Sequence, residues 1–122
     1  MRDDVESSIG QLETLARIAR SLAGSGLIVY RCRYDFLAFG SWVIEAGTSH
    51  HRLQIVRDGQ GRTLRYATAR LQNAGAVPDW EEHDQVPLDV VSSPADLDNW
   101  VATLIRKYGA AAANRPASTG GR

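Results

Sequence analysis

Two groups of residues in this sequence have the chemistry to hold a charged partner. The first lies in "RCRYDFLAFGSWVIEAGTSHHRLQIVRDGQGRTLRYATAR", residues 31 to 70, where arginine recurs at polar positions between apolar ones. Residues 27 to 71 carry seven arginines against three carboxylates. A guanidinium is a planar fork that matches a carboxylate or a phosphate, so such a set suits an acidic partner. The second group is "PDWEEHDQ", residues 78 to 85, in which Trp80 stands among Asp79, Glu81, Glu82 and Asp84 between two prolines. No lysine or arginine occurs from Gln72 to Trp100 to neutralise those carboxylates locally. An aromatic anchor ringed by acids is the makeup of a surface that receives a basic protein. The formal net charge of zero therefore conceals a basic half and an acidic half.

Catalytic and metal chemistry finds less support. His50 and His51 are adjacent, so in a strand they point to opposite faces and do not share one metal. His83 with Glu81, Glu82 and Asp84 offers ligands, but no second histidine stands at a zinc-enzyme spacing. The single cysteine, Cys32, falls on the apolar phase of a strand and reads as a buried, inert thiol. Ser41, Ser49, Ser92 and Ser93 lie in turn and cap contexts, none in a nucleophile elbow. The sequence thus predicts a protein with no catalytic residue, no metal and no cofactor.

The elements that must position these groups follow from apolar spacing. Val5, Ile9, Leu12, Ala16, Ala19 and Ala23 recur at helical steps, widened by Leu15 and Leu22, and predict a helix over 4–23 with Asp3 or Asp4 as its cap. Gly24 in "GSG" is expected to close its last turn. "LIVYRCRY", 27–34, predicts a strand with Ile28, Tyr30, Cys32 and Tyr34 inward and Arg31 and Arg33 outward. Trp42, Ile44 and Ala46, then Leu53 and Ile55, then Leu64, Tyr66 and Thr68 give three more strands, the last two joined by the hairpin turn "DGQG". Val86, Leu88 and Val90 suggest a short fifth strand, which Pro87 confines to an edge. "SSPADLDNW" announces a helix, with Ser93 as cap, Pro94 at its first position and Asp96 completing the capping spacing. Leu97, Trp100, Val101, Leu104 and Tyr108 make its buried stripe, and Gly109 ends it.

These elements predict an α+β two-layer sandwich, in which an antiparallel meander of four to five strands carries both helices on one face. Residues 1–109 form one domain, and 110–122, poor in periodic apolar residues, a flexible tail. The opposite sheet face is open, and Arg31, Arg33, Arg52 and Arg65 point out of it, with Glu45 and Gln54 among them.

Function is bounded by the same facts. With 43% hydrophobic and 23% charged residues the chain is an ordinary globular domain, without a membrane-spanning run, and its acidic start is unlike a secretory signal. It is expected in the cytoplasm. Blocking the basic site of a toxin or nuclease needs only an acidic, aromatic-bearing surface. The expected role is therefore a non-enzymatic protein-binding module of inhibitor or immunity type, with Asp79, Trp80, Glu81, Glu82 and Asp84 as its contact surface. The alternatives are a nucleic-acid-associated or regulatory protein that uses the arginine face, and an enzyme on an anionic small molecule. Nucleic acid ranks below a protein partner, because the chain lacks a global positive charge and its strand aromatics are expected to face inward.

Overall fold

A computed structural model describes residues 2–35, 40–73, 77–91 and 93–109. The 110–122 tail, the side chain of Val5 and that of Tyr108 lie outside what is described. The chain folds as helix α1 (Arg2–Gly24), strands β1 (Ile28–Asp35), β2 (Ser41–Gly47), β3 (His51–Asp58), β4 (Thr63–Arg70) and β5 (Glu81–Pro87), a 3₁₀ turn over Leu88–Val91, helix α2 (Pro94–Leu104) and a π-type turn over Ile105–Gly109. The five strands form one antiparallel sheet in the order β1-β2-β3-β4-β5. Both helices pack on one face of it, which makes the two-layer sandwich expected from the apolar spacing.

Volume, not the number of apolar residues, selects the face of α1. Leu15, Ile18 and Leu22 are the buried stripe, at 3%, 1% and 1% exposure. Ile9 and Leu12, expected to be buried, are about half exposed, and Ala16 and Ala23 face solvent. Burying a leucine or isoleucine stabilises by roughly 1.5–3 kcal/mol, far more than an alanine, so the helix turns its large residues in. It starts at Arg2, which places Asp3 and Asp4 inside its first turn instead of at the cap. Its end is also displaced from the expected glycine. Gly26, at φ 91°, takes the left-handed conformation, while the Gly26 amide donates to Ala23 and the Leu27 amide to Leu22. This is a Schellman closure, and the buried Leu22 and Leu27 supply its usual apolar contact.

The core lies between the helices and the inward phase of the sheet. Trp42, Ile44, Ala46, Leu53, Ile55, Leu64 and Tyr66 meet Leu97, Val101 and Leu104 of α2 as well as the α1 stripe. Trp100 is only half-buried and sets its edge against Tyr66 at 5.9 Å. The Trp42 indole N–H donates to the Gln11 side-chain oxygen at 3.1 Å and ties α1 to β2. At the start of α2, Ser93 accepts from the Asp96 amide at 3.1 Å with Pro94 next, the cap the sequence predicts.

Two irregularities re-aim side chains at the edges of the sheet. In β1 the register shifts between Val29 and Arg31, so Val29 opposes the core residue Ala46, and Tyr30 leaves the inward phase. Ile28 and Tyr30, expected in the core, are 58% and 40% exposed. Cys32 keeps its place opposite Ile44 but is exposed on this edge strand. In β5 the shift falls between the partners of Tyr66 and Ala67, leaving His83 as the extra residue of a bulge.

Candidate protein-binding surfaces

The outward phase of the sheet gathers the four arginines as expected. Register places Arg31 opposite Glu45, Glu45 opposite Gln54 and Val56 opposite Arg65, with Arg52 opposite Gly47. The same register shows that most of these cations are engaged within the face. Glu45 is only 8% exposed and accepts from Arg31 Nη1 at 3.4 Å and from Gln54 Nε2 at 2.9 Å. The guanidinium carbon of Arg52 lies 3.6 Å above the Tyr30 ring, and its Nε donates to the Thr48 carbonyl at 3.2 Å. Arg65 stands 3.9 Å from Asp58. Neither Arg52 nor Arg33 makes an ion pair among the described residues. The arginine lining thus compensates a buried carboxylate and covers an exposed tyrosine before it meets any partner.

The acidic group has a different placement from the one its sequence suggests. Only Asp79 and Trp80 lie in a connecting segment, whereas Glu81, Glu82 and Asp84 belong to β5 and are not a loop. Of the expected fifth-strand residues Val86, Leu88 and Val90, only Val86 is in the strand. Pro87 closes β5 opposite Thr63, at the edge as its missing N–H demands. Residues 81 to 85 are all exposed, and Trp80 is half-buried outside the main core. Among the described residues Asp79, Glu81, Glu82 and Asp84 form no ion pair, although Asp84 accepts from the next amide, of Gln85, at 2.8 Å. The acidic segment's pairs with arginine come from elsewhere: Asp89 with Arg62 at 3.3 Å and Asp98 with Arg17 at 3.1 Å.

His83 stands apart from those carboxylates. The bulge turns it onto Tyr66, with ring centroids 5.4 Å apart and planes 17° from parallel, and its Nε2 meets the Thr68 hydroxyl at 2.5 Å. It fixes the edge strand to β4 and leaves the acids to face solvent. No group of three or more His, Cys, Asp or Glu gathers tightly enough for a metal among the described residues. Partial desolvation pushes the Cys32 thiol upward from 9.0, so at neutral pH it is the protonated, unreactive form despite its exposure. No described helix is long and apolar enough to cross a membrane.

His51 supplies a pH dependence. Burial first, then the charges of Arg70 and His50, hold its pKa below the ordinary 6.5. The folded protein therefore binds this proton less readily than the unfolded chain does. The associated stability is fully present above the unfolded value and is lost as pH falls through the lowered one. Urea midpoints are expected to be flat above pH ~7 and to decline below 6.5, with a shallower decline in His51→Gln. An unchanged slope in that variant would assign the acid sensitivity to other groups.

Sequence reasoning missed one arginine. The alternation that buries Leu53 and Ile55 carries Arg57 to the same inward side, where it is half-buried and donates Nη1 to the Gly40 carbonyl at 2.8 Å. The signal was the strand phase itself, continued by two residues. Compared with known proteins, the chain matches no family model, no curated protein and no solved structure.

Proposed function

We propose that this protein is a non-enzymatic binding module whose acidic edge strand β5, led by Trp80, engages a basic protein, in the manner of an inhibitor or immunity protein of a toxin or nuclease. The observation that carries this reading is the contrast in charge compensation. The sheet arginines are largely engaged with Glu45, Tyr30 and Asp58, while Asp79, Glu81, Glu82 and Asp84 form no ion pair among the described residues. An edge strand also presents a row of unpaired backbone groups, and acidic side chains there reject most strands while admitting a basic one. Trp80 supplies the large aromatic area that dominates many interfaces.

A second reading uses the open face for an acidic protein. It is favoured by Arg33, which has no ion pair among the described residues and lies on the same edge strand as the exposed Ile28 and Tyr30. Nucleic acid ranks below both, since Tyr30 is covered by Arg52 and no further aromatic of the strands faces outward among the described residues.

The test begins with a partner captured from the cells that make the protein and then purified. Trp80→Ala is expected to speed dissociation by roughly thirtyfold, the equivalent of ~2 kcal/mol at an anchor. Glu81→Lys with Glu82→Lys is expected mainly to slow association at low salt. Unchanged rates in both variants, with the free proteins folded, would move the contact surface off β5.

A further inference from the structure

We propose that a cavity of about 290 Å³ between α1, the start of α2 and the β3–β4 end of the sheet binds a small organic carboxylate. This site is separate from the β5 surface and goes beyond the protein-binding role. Three guanidinium groups line it, those of Arg17, Arg57 and Arg62. Arg17 is paired with Asp98 and Arg62 with Asp89, whereas Arg57 makes no ion pair among the described residues, donating to the neutral Gly40 carbonyl and interacting with the Tyr34 phenol. Three cations against two anions leave one positive charge, half-buried and without a counter-ion among the described residues. A monoanion restores neutrality. A guanidinium has five N–H donors in a fixed fork, and Arg57 uses one of them, so a planar carboxylate has donors to meet. Trp42 and Leu64, which flank Arg57 on the neighbouring strands, and Leu97 of α2 add apolar surface that suits a small aromatic or aliphatic body.

Two further features fit an anion here. Burial is the main cause that lowers the Arg57 pKa; Tyr34 offsets part of it, and the charge of Arg62 lowers it further, the situation an anion between the two guanidinium groups would relieve. Arg62 also has φ 57°, a left-handed conformation that glycine adopts freely and arginine does not. The chain puts glycine at 59 and 61 of the same turn yet keeps an arginine at 62, where its side chain lines the cavity. Strain retained at a position with a ready alternative points to use of the side chain.

Benzoate, its neutral counterpart benzamide, and phenyl phosphate are the probes, read by the indole N–H resonance of Trp42, assigned with Trp42→Phe. Benzoate is expected to shift this resonance saturably and benzamide to leave it in place. Arg57→Met and Arg62→Gly should each weaken benzoate by about tenfold or more. Arg62→Gly relieves the backbone strain, so its loss of binding in a folded protein keeps the test independent of stability. An unmoved resonance with benzoate, equal binding of benzamide, or wild-type binding in both variants would overturn the proposal. Binding of phenyl phosphate in preference to benzoate would overturn the assignment of a monoanionic carboxylate. None of these results depends on the behaviour of β5.

Discussion

Gly47→Ala is expected to be the most damaging single change in the described fold, lowering stability by about 3 kcal/mol or more. Gly47 ends β2 just before the turn into β3, where the Thr48 amide donates to the His51 carbonyl at 2.8 Å and the Thr48 hydroxyl accepts from the His50 and His51 amides. A Cβ on Gly47 would collide with the His51 carbonyl oxygen and come within 2.9 Å of the Arg52 Cα. Both are backbone atoms, so no side-chain rotation clears the space. The turn has to open, and the β2–β3 pairing that carries Ile44 opposite Ile55 opens with it. Urea unfolding of the variant gives the measurement, and a loss below ~1 kcal/mol would mean that the turn yields without disturbing the register.

Ile44→Ala and Ile55→Ala are each expected to cost about 2–5 kcal/mol. Both residues are at 0% exposure and face each other across the central strands, at the middle of the core. Truncation removes buried methylene and methyl groups and leaves a void that the clamped strands cannot collapse to fill. Because the two voids would merge, the double variant should fall short of or exceed the sum instead of matching it. Against a typical total stability of roughly 5–15 kcal/mol, the pair should leave little folded protein at room temperature. A near-neutral result at either position would contradict the core as drawn.

Much of this fold was legible because large apolar residues alternate cleanly in β2, β3 and β4. Trp42, Ile44, Leu53, Ile55, Leu64 and Tyr66 all lie on the predicted side, and Arg31, Arg33, Arg52 and Arg65 on the other. The cap at Ser93 was equally plain, since its hydrogen bond is local to four residues. What escaped the sequence depends on contacts that local pattern does not encode. The bulges at Tyr30 and His83 arise on edge strands, where one side has no partner to hold the register. They invert the face of Ile28 and Tyr30 and set His83 against Tyr66. The β5 residues "EEHDQ" have little intrinsic preference for a strand, and pairing with β4 overrides it. In α1 the alanines centred the expected stripe on Ile9, Leu12 and Ala16, with Leu15 and Leu22 only widening it and Ile18 left out, whereas the volume of Leu15, Ile18 and Leu22 decides the packing.

The candidate surfaces were legible as compositions and only partly as geometry. Charge segregation could be read directly, but not that Glu45 would sit buried among the arginines, nor that Asp79 and Trp80 would precede an acidic strand instead of sharing one loop with Glu81, Glu82 and Asp84. The difference bears on mechanism. A loop adapts to its partner, whereas an edge strand presents side chains alternately to two faces and its backbone outward, so in the proposed role β5 is a preorganised contact.

Hydrogen exchange of the purified complex tests the role of β5 most directly. The account predicts that partner binding slows amide exchange across residues 79–85 and leaves β1 and the outward-facing stretch of β3 as they are in the free protein. Protection of Arg31, Arg33 and Arg52 with residues 79–85 unchanged would contradict it and place the partner on the open sheet face.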